Sequence, residues 1–219
     1  NLASTLATYN QAVASNDAKS LAVARTGKPK VLRAPFYGLR VVSGITFTGS
    51  AEVGMQVYRS FAKNYPKPVI VEMGGKNPTI ISKKADVEKA AEGVLRSAFG
   101  LGGQKCSANS RVYIEASVHD EFVKHLVEKT KALKVGDPTV RGIFLGPIIN
   151  QRSVDTFLQA CDEAKRDGTI AVGGGQLTDG DLAKGFYVAP TVVTGLPATH
   201  RLFKDELFNI GSGQFLKQH

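Results

Sequence analysis

From residue 41 onward, β-rich runs alternate with amphipathic helical runs, and nearly every switch is marked by Gly, Pro or a short polar cap. This alternation restricts the chain to the α/β class with a largely parallel sheet flanked by helices, because parallel strands need helical crossovers between them. Val41 to Phe47 reads as a strand ending at Thr48-Gly49-Ser50, and Ala51 to Asn64 as a helix with Val53, Val57 and Phe61 at four-residue spacing. Pro68 to Met73 is a short apolar strand running into Gly74-Gly75, and a second β-rich segment, Pro78 to Ile81, follows Lys76-Asn77. Asp86 to Phe99 is helical, residues 111 to 116 alternate as a strand, and His119 to Leu133 is an amphipathic helix closed by Gly136-Asp137-Pro138. Asn150 is a candidate N-cap for a helix from Gln151 to Arg166 that ends at Gly168. Thr169 to Val172 and Phe186 to Thr194 are the last strand candidates.

Residues 1–40 read differently. Ala24 to Arg40 holds five basic residues, two prolines and no acid, so this region is expected to be a basic leader or arm. The chain divides on this reading into that arm, a region of repeated strand–helix switches over 41–208, and a divergent tail over 209–219. The absence of an initiator methionine points to processing or to a chain that begins mid-protein.

Lysine plus arginine exceed aspartate plus glutamate by 28 − 19 = 9. The basic residues form no long run and accompany no RNA-binding aromatic motif or zinc-finger spacing, so a generally basic surface, and no nucleic-acid partner, is expected. No apolar stretch approaches the roughly 18 residues a membrane span requires, so no membrane is expected either. Two cysteines, Cys106 and Cys161, allow at most one disulfide in surroundings unlike a small secreted scaffold. A reducing compartment follows, cytoplasmic, with the mitochondrial matrix as the alternative.

Four segments could carry chemistry. In Phe99-Gly-Leu-Gly-Gly-Gln-Lys-Cys-Ser-Ala108, a thiol follows a glycine-rich turn whose backbone can approach a ligand closely. Lys105 and exposed amides could favour its thiolate, although a cysteine in isolation is more often buried structure. In Val71-Glu-Met-Gly-Gly-Lys-Asn-Pro78, Glu72 ends an apolar strand, where partial burial would suit a general base and pairing with Lys76 is the plainer alternative. In Phe47-Thr-Gly-Ser-Ala-Glu-Val-Gly54, helix N-terminal amides could hold a pyrophosphate, with Gly49 allowing close approach and Ser50 donating a hydrogen bond. In Leu202-Phe-Lys-Asp-Glu-Leu-Phe208, a carboxylate between aromatics could bind ribose hydroxyls. Gly-x-Ser-x-Gly and His-Glu-x-x-His are absent, and the four histidines have no zinc-ligand spacing, so no metal site is expected. Cys161, inside a helical run, is expected in the core.

Together these segments resemble the aldehyde dehydrogenase family. Phe-Thr-Gly-Ser at 47–50, Glu-Met-Gly-Gly-Lys-Asn at 72–77, Gly-Gln-Lys-Cys at 103–106 and Glu-Leu-Phe at 206–208 occur in the family's order. The form around Cys106 looks most like the 1-pyrroline-5-carboxylate dehydrogenase branch, which oxidises glutamate semialdehyde. The resemblance implies a truncated or incompletely represented catalytic-domain portion, since members are longer and their upstream Pro-Trp-Asn-type motif is not found in residues 1–40. It implies Cys106 as nucleophile, Glu72 as the base that activates water, and Ser107 as a contact for a substrate carboxylate. For NAD or NADP it implies Gly49 and Ser50 at the pyrophosphate, Met73 and Gly74 as further cofactor-binding residues, Glu206 on the nicotinamide ribose and Phe208 packing nearby. A small-molecule aldehyde and a homo-oligomer follow from the same likeness. Two other function classes fit the motifs: a non-catalytic binding or assembly module, and a cofactor-independent thiol esterase.

Overall fold

A computed structural model describes residues 43–62 and 66–207, and the backbone of 213–218. The expected arm at 1–40 lies outside the described residues, as does Phe208. The chain forms two compact units, one ending at Met73 and the other beginning at Gly74.

In the first unit, strand β1 (Ile45–Gly49) runs parallel to β2 (Val69–Met73), with Thr48 opposite Glu72 and Gly49 opposite Met73. Between them lies helix α1 (Ala51–Phe61), which starts where Ser50 accepts a hydrogen bond from the Val53 amide at 3.3 Å. Burial along β1 and β2 alternates with period two, as a sheet covered on one face requires. Val57 and Phe61 of α1 are buried, and Ile70 of β2 is 56% exposed on the opposite side of the alternation.

The second unit is a five-stranded sheet in the order β3-β4-β7-β6-β5. Its strands are β3 (Asn77–Ile81), β4 (Asn109–Ile114), β5 (Thr169–Val172), β6 (Thr191–Thr194) and β7 (Gly213–Gln218). All neighbours are parallel except the β5–β6 pair, so the sheet is largely parallel as expected. Helix α2 (Val87–Phe99) packs on α3 (His119–Lys131), and their apolar sides bury Val94, Phe99, Phe122 and Leu126 with Ile81, Val112, Ile114 and Val192 of the sheet. Val193, one residue on from Val192 and so on the other face, packs with Ala160 and Ala164 of helix α4 (Gln151–Asp167). Helices therefore cover both faces, which is what a mostly parallel sheet needs.

Helix ends follow the expected chemistry. Asp86 accepts from the Lys89 amide at 3.1 Å, and Asn150 accepts from the Ser153 amide at 2.9 Å. The strand expected over Phe186 to Thr194 shortens to β6. Pro190 has no amide hydrogen for a ladder, and Val188 makes only an isolated bridge to Gln176. Strand β7 has no counterpart among the sequence expectations, and it sits between β4 and β6.

Candidate active site

The segment around Cys106 is built from its two ends inward. Phe99, the last residue of α2, is fully buried, and Ala108, just before β4, is buried at 8% exposure. The chain between them must therefore leave the core and return within a few residues. It does so through three successive residues in the left-handed region, Leu101, Gly102 and Gly103, at φ of 57°, 65° and 68°. Glycine adopts that conformation without penalty, whereas Leu101 carries a cost of about 1–2 kcal/mol. Gln104 fastens the turn: its amide nitrogen donates to Leu101 O at 3.1 Å, and its amide oxygen accepts from Ile149 N at 3.0 Å.

Lys105 to Ala108 then form a β-turn closed by the Ala108 amide on Lys105 O at 3.1 Å. Cys106 and Ser107 occupy its two central positions and both are exposed. The Lys105 ammonium lies back over Gly100, 3.3 Å from where a Cβ on that glycine would sit. The Asn77 side-chain amide donates to Cys106 O at 2.6 Å and to Ala108 O at 3.0 Å. Asn109 in turn donates to Asn77 O at 3.3 Å and to Thr79 Oγ1 at 2.7 Å. A thiol presented on a short turn whose C-terminal side is tied to β3 suits nucleophilic attack, which depends on fixed geometry.

The other thiol is unlike it. Cys161 is buried in α4, and burial pushes its thiol up to about 11, Lys165 and Asp162 acting in opposite senses. The expected core assignment of Cys161 is met.

A second feature of the same unit lies at Gly74. A Cβ there would collide with the Glu206 carboxylate, so only glycine permits this approach. Burial raises the Glu206 carboxyl above its ordinary range, while a hydrogen bond from the Gly75 amide and the Lys76 charge pull it down. The segment carrying Glu206 is held by Arg111, which donates to Phe203 O at 3.0 Å, and by Arg201, whose guanidinium is bidentate on Glu163. His200 adds a third tie: Nδ1 accepts from the Leu202 amide at 3.2 Å and Nε2 faces Asp167 at 3.1 Å. A partly desolvated carboxylate at a glycine turn fits a diol such as a ribose, because both hydroxyls can donate to it.

Lys76 beside it is half-buried, and burial pushes its ammonium down to about 8, with Arg111 adding to the depression and Asp205 and Glu206 opposing it. Between that value and its ordinary 10.5 the folded state holds fewer protons than the unfolded one, so stability rises with pH across that window. Carbon-13 NMR of the lysine side chains should show Lys76 titrating near pH 8, well before the exposed lysines. A Lys76 midpoint above 10 would contradict its burial.

In the first unit, Gly49 and Ser50 stand at the β1–α1 junction as expected. A Cβ on Gly49 would lie 2.5 Å from the Phe47 ring, so this glycine also makes room for the chain's own packing. The Ser50 hydroxyl accepts from Val53 and keeps its own hydrogen to donate, which with the free α1 amides fits a pyrophosphate. The Met73 sulfur packs at Gly54 of α1. Glu72 is exposed, so the partial burial expected of it is not met among the described residues. Glu72 belongs to the first unit and Cys106 to the second.

Of the expected site residues, the second unit brings Gly74 and Glu206 together and sets Cys106 beside Ser107 on one turn. Sequence reasoning gave no role to Asn77 or Gln104, although both stand inside the motifs it used. Side-chain amides next to glycine turns are the available signal, since such turns leave carbonyls and amides in need of partners.

The aldehyde dehydrogenase family matches residues 18–209. The chain belongs to the aldehyde dehydrogenase family. It is 41% identical over 169 residues to a 1-pyrroline-5-carboxylate dehydrogenase of Geobacillus sp. (strain WCH70), and equally to one of Anoxybacillus flavithermus (strain DSM 21510 / WK1). Each alignment covers 75% of this chain and 32% of the relative. Among solved structures it is similar to betaine aldehyde dehydrogenase from Staphylococcus aureus in complex with NAD+, with 32% identity and a TM-score of 0.76 over 81% of this chain and 35% of that one. This aldehyde dehydrogenase chain thus spans about a third of the length of the curated relatives it matches.

No helix among the described residues is long and apolar enough to cross a membrane, and no described cluster of His, Cys, Asp and Glu could hold a metal ion.

Proposed function

We propose that this chain carries the thiol-nucleophile core of an NAD(P)-dependent aldehyde dehydrogenase acting on glutamate semialdehyde. The observation that supports this most directly is Cys106, exposed on a β-turn whose carbonyls are held from β3. Its sulfur attacks the aldehyde carbon, forming a C–S bond and turning the carbonyl oxygen into an oxyanion. A nicotinamide, when bound, would supply the hydride acceptor that lets the thiohemiacetal carbon become a thioester. Glu72 takes a proton from water, whose oxygen attacks the thioester carbon, and the C–S bond breaks to return the thiolate and release the acid. Glu206, backed by Gly74, would accept from the nicotinamide ribose hydroxyls, and Gly49 and Ser50 with the α1 amides would receive the pyrophosphate. Met73 and Phe208 are proposed as further cofactor-binding residues on the family likeness alone.

The choice of glutamate semialdehyde is supported by the relatives named 1-pyrroline-5-carboxylate dehydrogenase, and the carboxylate of such a substrate would meet the exposed Ser107. NAD use is supported by the NAD+ complex of the similar betaine aldehyde dehydrogenase. Two free cysteines fit a reducing compartment, and the cytoplasm, with the mitochondrial matrix as alternative, is part of the proposal. Self-association into a homo-oligomer is part of the same proposal, as is the division into an arm over 1–40, a catalytic region over 41–208 and a tail.

Absorbance of reduced nicotinamide tests the reading. With glutamate semialdehyde and NAD+ or NADP+, reduction should exceed that with acetaldehyde. Reduction equal with both aldehydes would remove the substrate assignment. No reduction with either, by a protein whose Cys106 is still acylated by esters, would favour the thiol esterase.

A further inference from the structure

We infer that Asn77 is a positioning residue for the Cys106 nucleophile, holding the Lys105–Ala108 turn in the orientation that acyl transfer requires. The inference rests on the reading of Cys106 as nucleophile and adds to it the device that aims the thiol.

The geometry carries the case. One side-chain amide, with two hydrogens, reaches two carbonyls of the same turn, Cys106 O at 2.6 Å and Ala108 O at 3.0 Å. Both partners are carbonyl oxygens, so only the NH2 end of Asn77 can face them, and the amide cannot be flipped. Its oxygen lies on the other side, 3.5 Å from where a Cβ on Gly75 would be. Holding the Cys106 carbonyl fixes the plane of the peptide bond that follows it, because that bond is planar. With Ala108 also held, the backbone on the C-terminal side of the sulfur loses its freedom to rotate.

The position of Asn77 is itself determined. Asn77 stands opposite Asn109, but Pro78 stands opposite Arg111, so β4 carries one extra residue at Ser110. Pro78 lacks an amide hydrogen and cannot complete a regular ladder there. Such a bulge bends the strand locally and re-aims side chains at its end. Asn109 then fastens the backbone of Asn77 through its carbonyl at 3.3 Å and reaches Thr79 Oγ1 at 2.7 Å. The clamp thus runs from β3 to the thiol turn through two asparagines.

The test compares two reactions of one thiol. With p-nitrophenyl acetate, the Cys106 sulfur attacks the ester carbon, the C–S bond forms and the C–O bond to p-nitrophenolate breaks. The electron pair departs on the phenolate and the thiol proton goes to solvent. That reaction generates an oxyanion and demands orientation. Alkylation by iodoacetamide occurs at a saturated carbon, creates no oxyanion and tolerates a looser turn. Asn77→Ala should lower the p-nitrophenolate burst rate by about 10- to 100-fold while Cys106 alkylation changes by less than about threefold. Asn77→Asp keeps the shape and loses both N–H donors, so it should behave as Asn77→Ala.

A burst rate in either variant within about threefold of the unsubstituted protein would overturn the inference. So would a parallel fall of both reactions, which would mean that the turn had collapsed as a whole. Cys106→Ser is run beside them: a burst that survives it would remove the nucleophile reading itself, and the positioning role with it. Should both asparagine variants unfold, the unsubstituted protein still decides. Scalar couplings by NMR from the Asn77 side-chain nitrogen to the Cys106 and Ala108 carbonyl carbons are expected, and their absence would overturn the clamp.

Discussion

Replacing Cys106 by serine should lower aldehyde oxidation and ester hydrolysis together by at least about 10³-fold. A thiol loses its proton far more readily than a hydroxyl and is a strong nucleophile as the thiolate. A serine hydroxyl has no comparable ionised fraction and needs an adjacent base to remove its proton. The turn supplies none, since the residues beside Cys106 are Lys105 and Ser107. The side chain is exposed, so the substitution leaves no cavity and removes no buried contact. Circular dichroism and thermal unfolding should be unchanged while steady-state rates fall. Cys161→Ser is the opposite case. It places a hydroxyl in the α4 core at a cost of about 1–3 kcal/mol and should leave turnover per folded molecule intact. A Cys106→Ser protein that oxidises aldehyde at more than a tenth of the original rate, or a Cys161→Ser protein that is folded and inactive, would reverse the two assignments.

Gly74→Ala should raise the KM for the nicotinamide cofactor by about 10- to 100-fold with little change in stability. The added methyl would occupy the space of the Glu206 carboxylate. That carboxylate is the far end of a flexible side chain, so it can swing away by rotation and the backbone need not move. Stability should therefore change by less than about 1 kcal/mol. The swing would separate Glu206 from the Gly75 amide and, on the proposed reading, remove a charged acceptor from the ribose, a loss of about 1.5–3 kcal/mol of binding. Titration of initial rates against NAD+ and NADP+, with unfolding followed in parallel, checks both halves. An unaltered KM would show that Glu206 does not hold the cofactor, and a large loss of stability would show that Gly74 serves the fold alone.

The parts of this structure that sequence reasoning reaches are those decided locally. Helices α1 to α4 were legible because their apolar residues recur at helical spacing and because Ser50, Asp86 and Asn150 cap three of them. Gly102 and Gly103 announce a left-handed turn, but Leu101 in the same conformation does not, because leucine has no preference for it. Strand β7 was invisible for a related reason. Gly-Gln-Phe-Leu-Lys-Gln lacks the near-continuous apolar run of a strand inside a parallel sheet, and its place is set by pairing with β4 and β6. Val188 and Pro190 carry the opposite lesson: they are buried and apolar, yet make no regular ladder, so apolarity there reports packing.

The candidate site divides in the same way. Cys106 could be picked out from its glycine context together with the order of the family motifs. The approach of Gly74 to Glu206 joins residues far apart in sequence, and no spacing rule predicts it. The reach of Asn77 to the thiol turn depends on the β3–β4 register and its bulge at Pro78, both products of the sheet as a whole. From the sequence, Lys76 reads only as a partner for Glu72. Its surroundings include Arg111, Asp205, Glu206 and Arg201, which the fold brings to it from two distant stretches of chain.

The nucleophile assignment is tested most directly by finding where an acyl group lands. Brief exposure of the native protein to p-nitrophenyl acetate, an acid quench and peptide mass mapping should place the acetyl group on Cys106. Prior treatment with iodoacetamide should block it in proportion to Cys106 alkylation, with Cys161 still unmodified. Acetyl on any other side chain during the burst, or ester turnover undiminished once Cys106 is fully alkylated, would contradict Cys106 as the nucleophile.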